Sequence, residues 1–239
     1  MIITPSWPAP KNVQAFTTVR TMGNMATHVA DDPATVEKNR LRLLTDTPLS
    51  ESPRWLNQIH SNTVIKMDAS TRLTSPEADG SYTHVPGIVC AVLTADCLPI
   101  LLCDAHGQEV AALHAGWRGL LAGIIDRGVT CFKAKPSEIY AWLGPAIGPK
   151  AFEVGPEVFD AFTQTYREQA EAFIPSDQPR HYLLDIYALA RLYLARAGVK
   201  QVYGGEFCTY SDPARFYSYR REGKTGRMAS LIWMKGTRS

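Results

Sequence analysis

The 239-residue chain lacks the features that define several large classes of protein. No apolar run approaches the roughly 20 residues that span a bilayer, and the first residues lack the basic and apolar regions of a signal peptide. The net charge of +2 gives no strong attraction to nucleic acid or to a membrane surface. We therefore expect a cytoplasmic protein with neither a nucleic acid nor a membrane as its partner.

Cysteine is scarce and irregularly spaced. The chain has five cysteines and no C-x-x-C pair, which argues against a disulfide framework and against a zinc ribbon. Cys90, Cys103 and Cys131 lie in apolar runs and are predicted to be buried free thiols. Free thiols are typical of a reducing compartment.

Several motifs for cofactor binding are also missing. The chain has six histidines but no His-x-His pair, so it cannot form the trinuclear copper cluster of a complete laccase. The glycine-rich stretch from Gly144 to Gly148 matches neither a phosphate-binding P-loop nor a dinucleotide fingerprint. It is predicted to be a backbone turn.

Apolar segments of strand length alternate with segments of helical spacing. Helices are predicted to begin at Asp32-Pro33 and Gly155-Pro156 and to cover 117–133 and 184–197. Short connections within 87–114 favour a mixed β-sheet over a doubly wound parallel one. No domain boundary is evident, so one α/β domain over 1–239 is expected. Strands are predicted at 13–17, 55–59, 63–67, 87–93, 99–104, 109–114, 139–143, 199–203 and 230–234.

Three residues in separate segments are the candidate catalytic and metal-binding residues: His60, Cys97 and His114. Their wide spacing requires that separate loops or strand ends converge. Two imidazoles and a thiolate suit zinc with an open fourth position, and they also suit copper. A thiolate beside an imidazole is equally a nucleophile with its base. The residue types alone leave the two interpretations open.

Asp96 precedes Cys97 directly. A carboxylate at this position is expected to raise the pKa of the thiol by charge repulsion unless a cation or a metal lies nearby. A coordinated metal deprotonates a thiol outright. The adjacency therefore favours the metal interpretation over a free thiolate nucleophile.

Three arginines are candidates for binding substrate or phosphate. Arg118 follows Gly116-Trp117 at a predicted helix start, where backbone N–H groups favour anions. Arg220 lies in a tail that mixes aromatic residues with arginine, which can stack on a base and hold phosphate or form a surface strand. Arg20 is a further candidate, and a solvated loop arginine is its alternative.

Six segments together resemble the YfiH-type family, also known as laccase-domain or polyphenol oxidase proteins and as purine nucleoside phosphorylases. They run in order along nearly the whole chain and are Asn57-Gln58-Ile59-His60, Ala78-Asp79-Gly80, Thr94-Ala95-Asp96-Cys97-Leu98-Pro99-Ile100, His114-Ala115-Gly116-Trp117-Arg118-Gly119, Gly144-Pro145-Ala146-Ile147-Gly148 and Arg220-Arg221 with Thr225-Gly226-Arg227.

The resemblance implies an α/β sandwich with a mixed sheet, related to the catalytic domain of cytotoxic necrotising factor. It implies that His60, Cys97 and His114 bind zinc. The implied activity is phosphorolysis of adenosine, inosine, guanosine and methylthioadenosine, together with adenosine deamination, so a purine nucleoside and phosphate are the expected partners. The protein is expected to be a monomer or a weak homo-oligomer.

Three other functions are considered. A single copper with weak polyphenol oxidase activity fits the same three ligands, because affinity for Cu²⁺ exceeds that for Zn²⁺. A metal-free hydrolase or deamidase would use Cys97 as nucleophile and His114 as base. A binding module without catalysis is the least favoured, since unusual polar residues converge.

Overall fold

The computed structural model describes residues 2–29, 31–49, 51–71, 75–164 and 166–236. Its strands are β1 (Ile2–Ile3), β2 (Val13–Thr18), β3 (Val64–Lys66), β4 (Gly80–Thr83), β5 (Cys90–Thr94), β6 (Leu98–Asp104), β7 (Val110–Ala115), β8 (Ile139–Leu143), β9 (Glu153–Val154), β10 (Phe173–Pro175), β11 (Tyr182–Leu184), β12 (Gln201–Gly204) and β13 (Met228–Met234). Its α-helices are α1 (Pro33–Asp46), α2 (Trp117–Leu121), α3 (Ile124–Thr130), α4 (Pro156–Thr163), α5 (Ile186–Arg196) and α6 (Tyr219–Glu222). Short 3₁₀ helices cover Arg20–Met22, Pro136–Glu138 and Arg167–Ala172.

Two large sheets form the centre of the molecule. The six-stranded sheet has the order β12-β8-β6-β7-β4-β3, and the four-stranded sheet has the order β1-β2-β13-β5. In the larger sheet β12 pairs with β8 and β3 with β4 in parallel, whereas its other pairs are antiparallel. The predicted mixed sheet and α/β class are therefore confirmed.

Strand β13 joins distant parts of the chain. It lies between β2 and β5 and pairs with both in antiparallel register. The hydroxyl groups of Thr17 and Ser230 form a buried hydrogen bond of 2.7 Å across a separation of 213 residues. The four-stranded sheet thus requires both ends of the described chain.

Residues along β6 alternate between two separate cores, because successive side chains of a strand point to opposite faces of its sheet. Leu98, Ile100 and Leu102 pack against the helices α2 to α5. Leu101 and Cys103 face the four-stranded sheet instead. A third core lies on the far side of that sheet and includes Leu43 of α1. The layers therefore run helices, sheet, sheet, helix, as expected for an α/β sandwich.

Helix starts follow the sequence signals. The carboxylate of Asp32 accepts hydrogen bonds from the N–H groups of Ala34 and Thr35, and Pro33 occupies the first turn of α1. Asp185 caps α5 in the same way, through the N–H groups of Tyr187 and Ala188. The start of α1 was predicted from this signal, whereas α5 was predicted from 184 and begins two residues later, after its cap.

The predicted continuous helix over 117–133 is wrong. Two helices, α2 and α3, occupy this stretch and are separated at Gly123. Gly123 has φ +87°, a left-handed conformation that ends a helix and favours glycine. The helix predicted to begin at Gly155-Pro156 forms as α4, with Gly155 as its N-cap and Pro156 in its first turn.

The predicted strand over 55–59 does not form; only isolated bridges at Arg54 and Asn57 occur in this part of the described chain. In contrast, the buried strand β4 was not predicted. Its sequence, Gly-Ser-Tyr-Thr, lacks an apolar run, and its strand pairing comes from β3 and β7 on either side.

The five cysteines are free thiols, and Cys90 and Cys103 are buried as expected, whereas Cys131 is only partly buried. Over the described ranges, no helix combines the length and the apolar character needed to cross a bilayer.

Candidate metal centre and cavity

The fold brings His60, Cys97 and His114 together. Cys97 lies in the turn where the chain leaves β5 in one sheet and enters β6 in the other. His114 is in β7, and His60 is in the loop before β3. Their potential ligand atoms all lie within 4.8 Å of one another, and the two imidazole centroids are 4.9 Å apart. The convergence that the spacing required is present.

The backbone is unusual at two points beside this cluster. His60 has φ +62° and Asp96 has φ +90°, a region that residues other than glycine seldom adopt. Such conformations occur where surrounding interactions fix them, and they concentrate at functional sites. Gly116 leaves room for the cluster, because a Cβ at this position would lie 3.0 Å from the Sγ of Cys97.

Asp79 organises both histidines. Its Oδ1 lies 2.8 Å from Nδ1 of His114 and accepts the backbone N–H of His60 at 3.0 Å. Its Oδ2 accepts the N–H and the hydroxyl of Ser61. Asp79 is fully buried. One carboxylate therefore orients His114 and holds the loop that carries His60.

The role of Asp79 was not predicted from the sequence. The available signal was a carboxylate between Ala78 and Gly80 at the start of a buried strand. Burial would raise the pKa of Asp79, but hydrogen bonds from His114 and Ser61 outweigh it and lower the pKa to about 2. The ionised carboxylate can only accept, so Nδ1 of His114 carries the proton and Nε2 is left available as a ligand.

Gln58 ties the His60 loop to the end of β5. Its side-chain oxygen accepts the N–H of Leu93 at 2.7 Å, and its side-chain nitrogen donates to the Leu93 carbonyl at 2.8 Å. The side-chain amide of Gln58 thus bonds to both backbone groups of Leu93 in β5, as a neighbouring strand would. The polar residues before His60 are thus used for positioning.

The thiol and the imidazole of the cluster favour opposite charges. Burial would raise the pKa of Cys97, yet the charge of His114 and hydrogen bonds from both histidines lower it. Burial would lower the pKa of His114, yet the Cys97 thiolate and the Asp79 carboxylate raise it. The protein alone therefore favours a thiolate at Cys97, which is the form that binds metal and the form that attacks as a nucleophile.

The pKa of the Cys97 thiol is lowered although the Asp96 carboxylate precedes it, because His114 and His60 act in the opposite direction. The Asp96 carboxylate accepts hydrogen bonds from Thr209 at 2.5 Å, from Ser218 at 3.0 Å and from the Arg220 N–H at 2.7 Å. These three donors hold the carboxylate. Asp96 therefore does not prevent a thiolate at Cys97, and its hydrogen bonds join the β5–β6 turn to α6.

A cavity of about 400 Å³ opens at the cluster and is lined by all three of its residues. Arg118 and Arg220, two of the three arginines predicted to bind substrate or phosphate, also line it. The Arg118 guanidinium lies 4.3 Å from the Trp117 ring centroid. That of Arg220 lies 5.5 Å from the Phe152 centroid and donates to the Glu153 carbonyl at 2.8 Å. The cavity thus combines cationic groups with aromatic faces.

Arg20 is placed differently. It is not among the residues that line the cavity; its guanidinium pairs with Glu222 and lies 4.9 Å from the Tyr217 ring centroid. Two other lining residues are His28 and Arg227. His28 was not predicted as a site residue, whereas Arg227 belongs to the tail of aromatic residues and arginines that was considered for binding a base and phosphate.

The donor set fits a metal of the zinc class. Two imidazole nitrogens and a thiolate within 4.8 Å provide three ligands, and the adjoining cavity leaves a fourth position accessible. The contact from His114 to Asp79 is the carboxylate–histidine arrangement that supports metal-bound imidazoles. The same donors also accept copper.

Comparison with known families and proteins gives one consistent group. A family model described as multi-copper polyphenol oxidoreductase laccase matches residues 15–235. A Pseudomonas aeruginosa protein named purine nucleoside phosphorylase is 50% identical, with 98% of each chain covered. An Escherichia coli protein named purine nucleoside phosphorylase YfiH is 49% identical over the same shares.

Solved structures agree with these matches. The crystal structure of Neisseria meningitidis protein NMB0706 superposes with a TM-score of 0.92 at 46% identity, covering 98% of this chain and 99% of that one. YlmD from Geobacillus stearothermophilus gives a TM-score of 0.86 at 32% identity, covering 96% and 94%. Sequence and fold comparisons therefore point to the same group of proteins.

Proposed function

We propose that this chain, which belongs to the family described as multi-copper polyphenol oxidoreductase laccase, cleaves purine nucleosides with phosphate in a zinc-dependent reaction. The proposal is supported by its similarity to curated proteins named purine nucleoside phosphorylases. The proposed nucleosides are adenosine, inosine, guanosine and methylthioadenosine, with deamination of adenosine as a second reaction. Free thiols throughout the chain support a reducing, cytoplasmic location.

The observation that carries the proposal is the composition of the cavity. A nucleoside needs an apolar or aromatic face for its base, and phosphate needs cations. Both lie beside His60, Cys97 and His114. A cavity of about 400 Å³ is also within the size range of small-molecule sites.

In phosphorolysis a phosphate oxygen bonds to C1′ of the ribose while the bond from C1′ to the purine nitrogen breaks. The proton that the departing purine gains is the one that the attacking dihydrogen phosphate loses. We assign Arg118 and Arg220 to the phosphate, since guanidinium groups bind phosphate through paired N–H donors. Holding both reactants in one cavity lowers the entropic part of the barrier.

His60, Cys97 and His114 would hold the metal. When bound, zinc supplies a Lewis acid that polarises an oxygen and lowers the pKa of a water molecule. Asp79 fixes the tautomer of His114 and the backbone of His60. Arg20, paired with Glu222, is proposed to support the cavity wall through α6 and not to touch phosphate.

One experiment tests the activity. Untagged protein is analysed for zinc and copper and then incubated with adenosine and phosphate, and the products are separated by chromatography. Adenine with ribose 1-phosphate is the expected result, and inosine would report the deamination. Turnover that needs no phosphate and survives chelation would contradict the proposal.

The metal assignment is tested by Cys97→Ala. We expect loss of bound metal and a fall in activity of more than about 100-fold, since a direct ligand contributes more than a supporting residue. Cys208→Ala is the matched control, because Cys208 is another partly buried thiol that lies outside the cluster. Unchanged metal content in Cys97→Ala would refute the site.

A metal-free hydrolase or deamidase is the second candidate, and the lowered pKa of Cys97 beside His114 favours it. A thiolate nucleophile remains active after chelation and is inactivated by an alkylating agent. Loss of activity on chelation with recovery on added zinc separates the two functions. A phenol substrate assayed with copper-loaded protein tests the weak oxidase that the family description raises.

A further inference from the structure

The cavity carries more positive than negative charge. Three arginines line it, Arg118, Arg220 and Arg227, against one carboxylate, that of Asp96. Hydrogen bonds from Thr209, Ser218 and the Arg220 backbone already engage that carboxylate. An excess of cationic groups in a cavity wall raises the local concentration of anions.

Arg227 differs from most of the chain's other partly buried arginines. None of the ion pairs among the described residues includes it, whereas Arg20 and Arg221 both pair with Glu222. Its Nη1 donates to the carbonyls of Thr225 at 2.7 Å and Gly226 at 3.1 Å. Within the described ranges, its Nε and Nη2 have no protein acceptor, since its recorded side-chain bonds are those of Nη1. Because Arg227 lines the cavity, these two groups are the donors it can offer to a ligand there.

The position of Arg227 is fixed by its backbone. Its N–H donates to the side-chain oxygen of Asn24 at 2.9 Å, and its carbonyl accepts the N–H of Met25 at 3.2 Å. The next residue, Met228, begins the central strand β13. Because hydrogen bonds hold both the backbone and the Nη1 of Arg227, its guanidinium loses little conformational entropy when it binds a ligand.

Arg227 also lies near the metal-binding cluster, since the charge of Cys97 acts on it. Burial disfavours its cationic form and lowers its pKa, so the arrival of an anion would offset a desolvation cost already present. His28 shares the cavity, and its pKa is lowered by burial and by the charges of Arg227 and Arg40. His28 is therefore neutral at neutral pH and adds no competing charge.

We infer that Arg227 binds the phosphate that reacts with the nucleoside, together with Arg118 in the wall of the same cavity. Arg227 thereby takes the phosphate-binding role for which Arg20 was a candidate. The inference rests on the proposed function and adds a residue to it. The anion is inorganic phosphate in a phosphorolysis; the 5′-phosphate of a nucleotide has the same chemistry and is distinguished by the test.

The test measures the KM for phosphate at saturating inosine in metal-loaded protein. Arg227→Gln is expected to raise the KM for phosphate about 10- to 100-fold, because a lost hydrogen bond to a charged group weakens binding by about this factor. The KM for inosine should change less than about threefold. Arg227→Lys keeps the charge without the paired donors and should recover part of the affinity. Arg191→Gln is the control, because Arg191 also donates to two backbone carbonyls but lies outside the cavity.

A phosphate KM within about twofold of wild type in Arg227→Gln would overturn the inference, provided that thermal unfolding shows a folded variant. A second result would also overturn the inference: wild type binds AMP more tightly than adenosine, and Arg227→Gln loses this preference while its KM for phosphate is unchanged. Arg227 would then bind the 5′-phosphate of a nucleotide. If wild type shows no phosphorolysis, the proposed function fails separately. Calorimetric titration with inorganic phosphate then tests the anion site, and equal binding by wild type and Arg227→Gln refutes it.

Discussion

At the scale of single residues, Asp79 shows how a buried carboxylate can serve structure and site together. It accepts hydrogen bonds from His114, from the His60 N–H and from Ser61. Each of these bonds fixes one part of the cluster before any ligand arrives. A buried carboxylate without such partners would be strongly destabilising.

Asp79→Asn should weaken metal binding. The amide cannot accept from all of the present donors, and one of its orientations places an NH₂ group against Nδ1–H of His114. We expect zinc affinity to fall about 10- to 100-fold, as is typical when the partner of a metal-binding histidine is changed. Competition with a zinc-sensitive chelator measures this change.

The control for Asp79→Asn is Asp104→Asn. Asp104 is also buried and also accepts several N–H groups, those of His106, Gln108 and Glu109, but it lies at the far turn of the β6–β7 hairpin. Asp104→Asn should lower the Tm with zinc affinity unchanged. Equal zinc affinity in both variants would show that Asp79 has only a structural role.

The cluster of His60, Cys97 and His114 could be predicted from residue types. A histidine or cysteine beside polar residues, as at His60 and Cys97, seldom serves only to fill a core. Arg118 and Arg220, predicted from the sequence as binding residues, lie in the cavity wall. The partners of Asp96 were not predictable, because Thr209 and Ser218 lie more than 100 positions away in the chain. Arg20 could not be assigned either, since its pairing with Glu222 depends on the same long-range packing.

At the scale of elements, the cap of α5 contributes measurable stability. Asp185→Ala removes the acceptor for the N–H groups of Tyr187 and Ala188 and should cost about 1 kcal/mol. For a chain of this size that corresponds to a decrease in Tm of about 2–4 °C. Differential scanning calorimetry measures it.

The matching change at α1, Asp32→Ala, provides a comparison, because that cap is exposed. We expect the Asp32→Ala decrease to be no larger than that of Asp185→Ala, whose cap begins a helix packed in the main core. A Tm unaffected by Asp185→Ala would contradict the assigned cap.

Glu222 links α6 to the 3₁₀ helix that begins at Arg20. Burial would raise its pKa, but hydrogen bonds from Thr225 and two arginines lower the pKa to about 2, below the ordinary 4.5. A lowered carboxyl pKa stabilises the fold above the unfolded pKa, and this stabilisation is lost as the pH falls toward the folded pKa. The Tm difference between wild type and Glu222→Gln should therefore be constant above pH ~5 and shrink on acidification.

Melting curves of both proteins from pH 7 to pH 3 test this dependence. Glu168→Gln serves as a control, because Glu168 forms an exposed ion pair with Arg196 and such pairs contribute little. A Tm difference for Glu222→Gln that grows on acidification would have the wrong sign for the proposed interaction.

The break between α2 and α3 shows that an apolar sequence pattern does not predict where a helix ends. Leu120, Ile124 and Ile125 face one core, as the helical spacing over 117–133 predicted. The pattern continues smoothly through Gly123, however, and only the left-handed conformation of that glycine separates α2 from α3. Hydrophobic spacing reports the face of an element, whereas its ends depend on backbone conformation at one or two residues.

At the scale of the whole molecule, the candidate metal centre connects the two large sheets. Cys97 lies where the chain passes from β5 to β6, and His114 is in β7 of the larger sheet. A metal held by both would bind the folded state but not the unfolded chain, and would stabilise the fold by mass action.

Removing the metal should therefore lower the Tm. At a free zinc concentration about 100 times Kd, the stabilisation is about 2.7 kcal/mol, equivalent to about 5–10 °C for a chain of this length. Thermal unfolding with and without a chelator measures the shift, and added zinc should reverse it. Cys97→Ala should give the same Tm in both conditions; a chelator effect in this variant would place the metal elsewhere.

Strand β13 has a consequence for the order in which the protein acquires its site. Its partners include residues more than 200 positions earlier, and contacts of such separation form slowly because a long loop must close. Arg227 directly precedes this strand, so the cationic wall of the cavity is completed only when β13 inserts between β2 and β5. Refolding experiments should therefore show ligand binding appearing with the slowest phase, after most of the helical signal has returned.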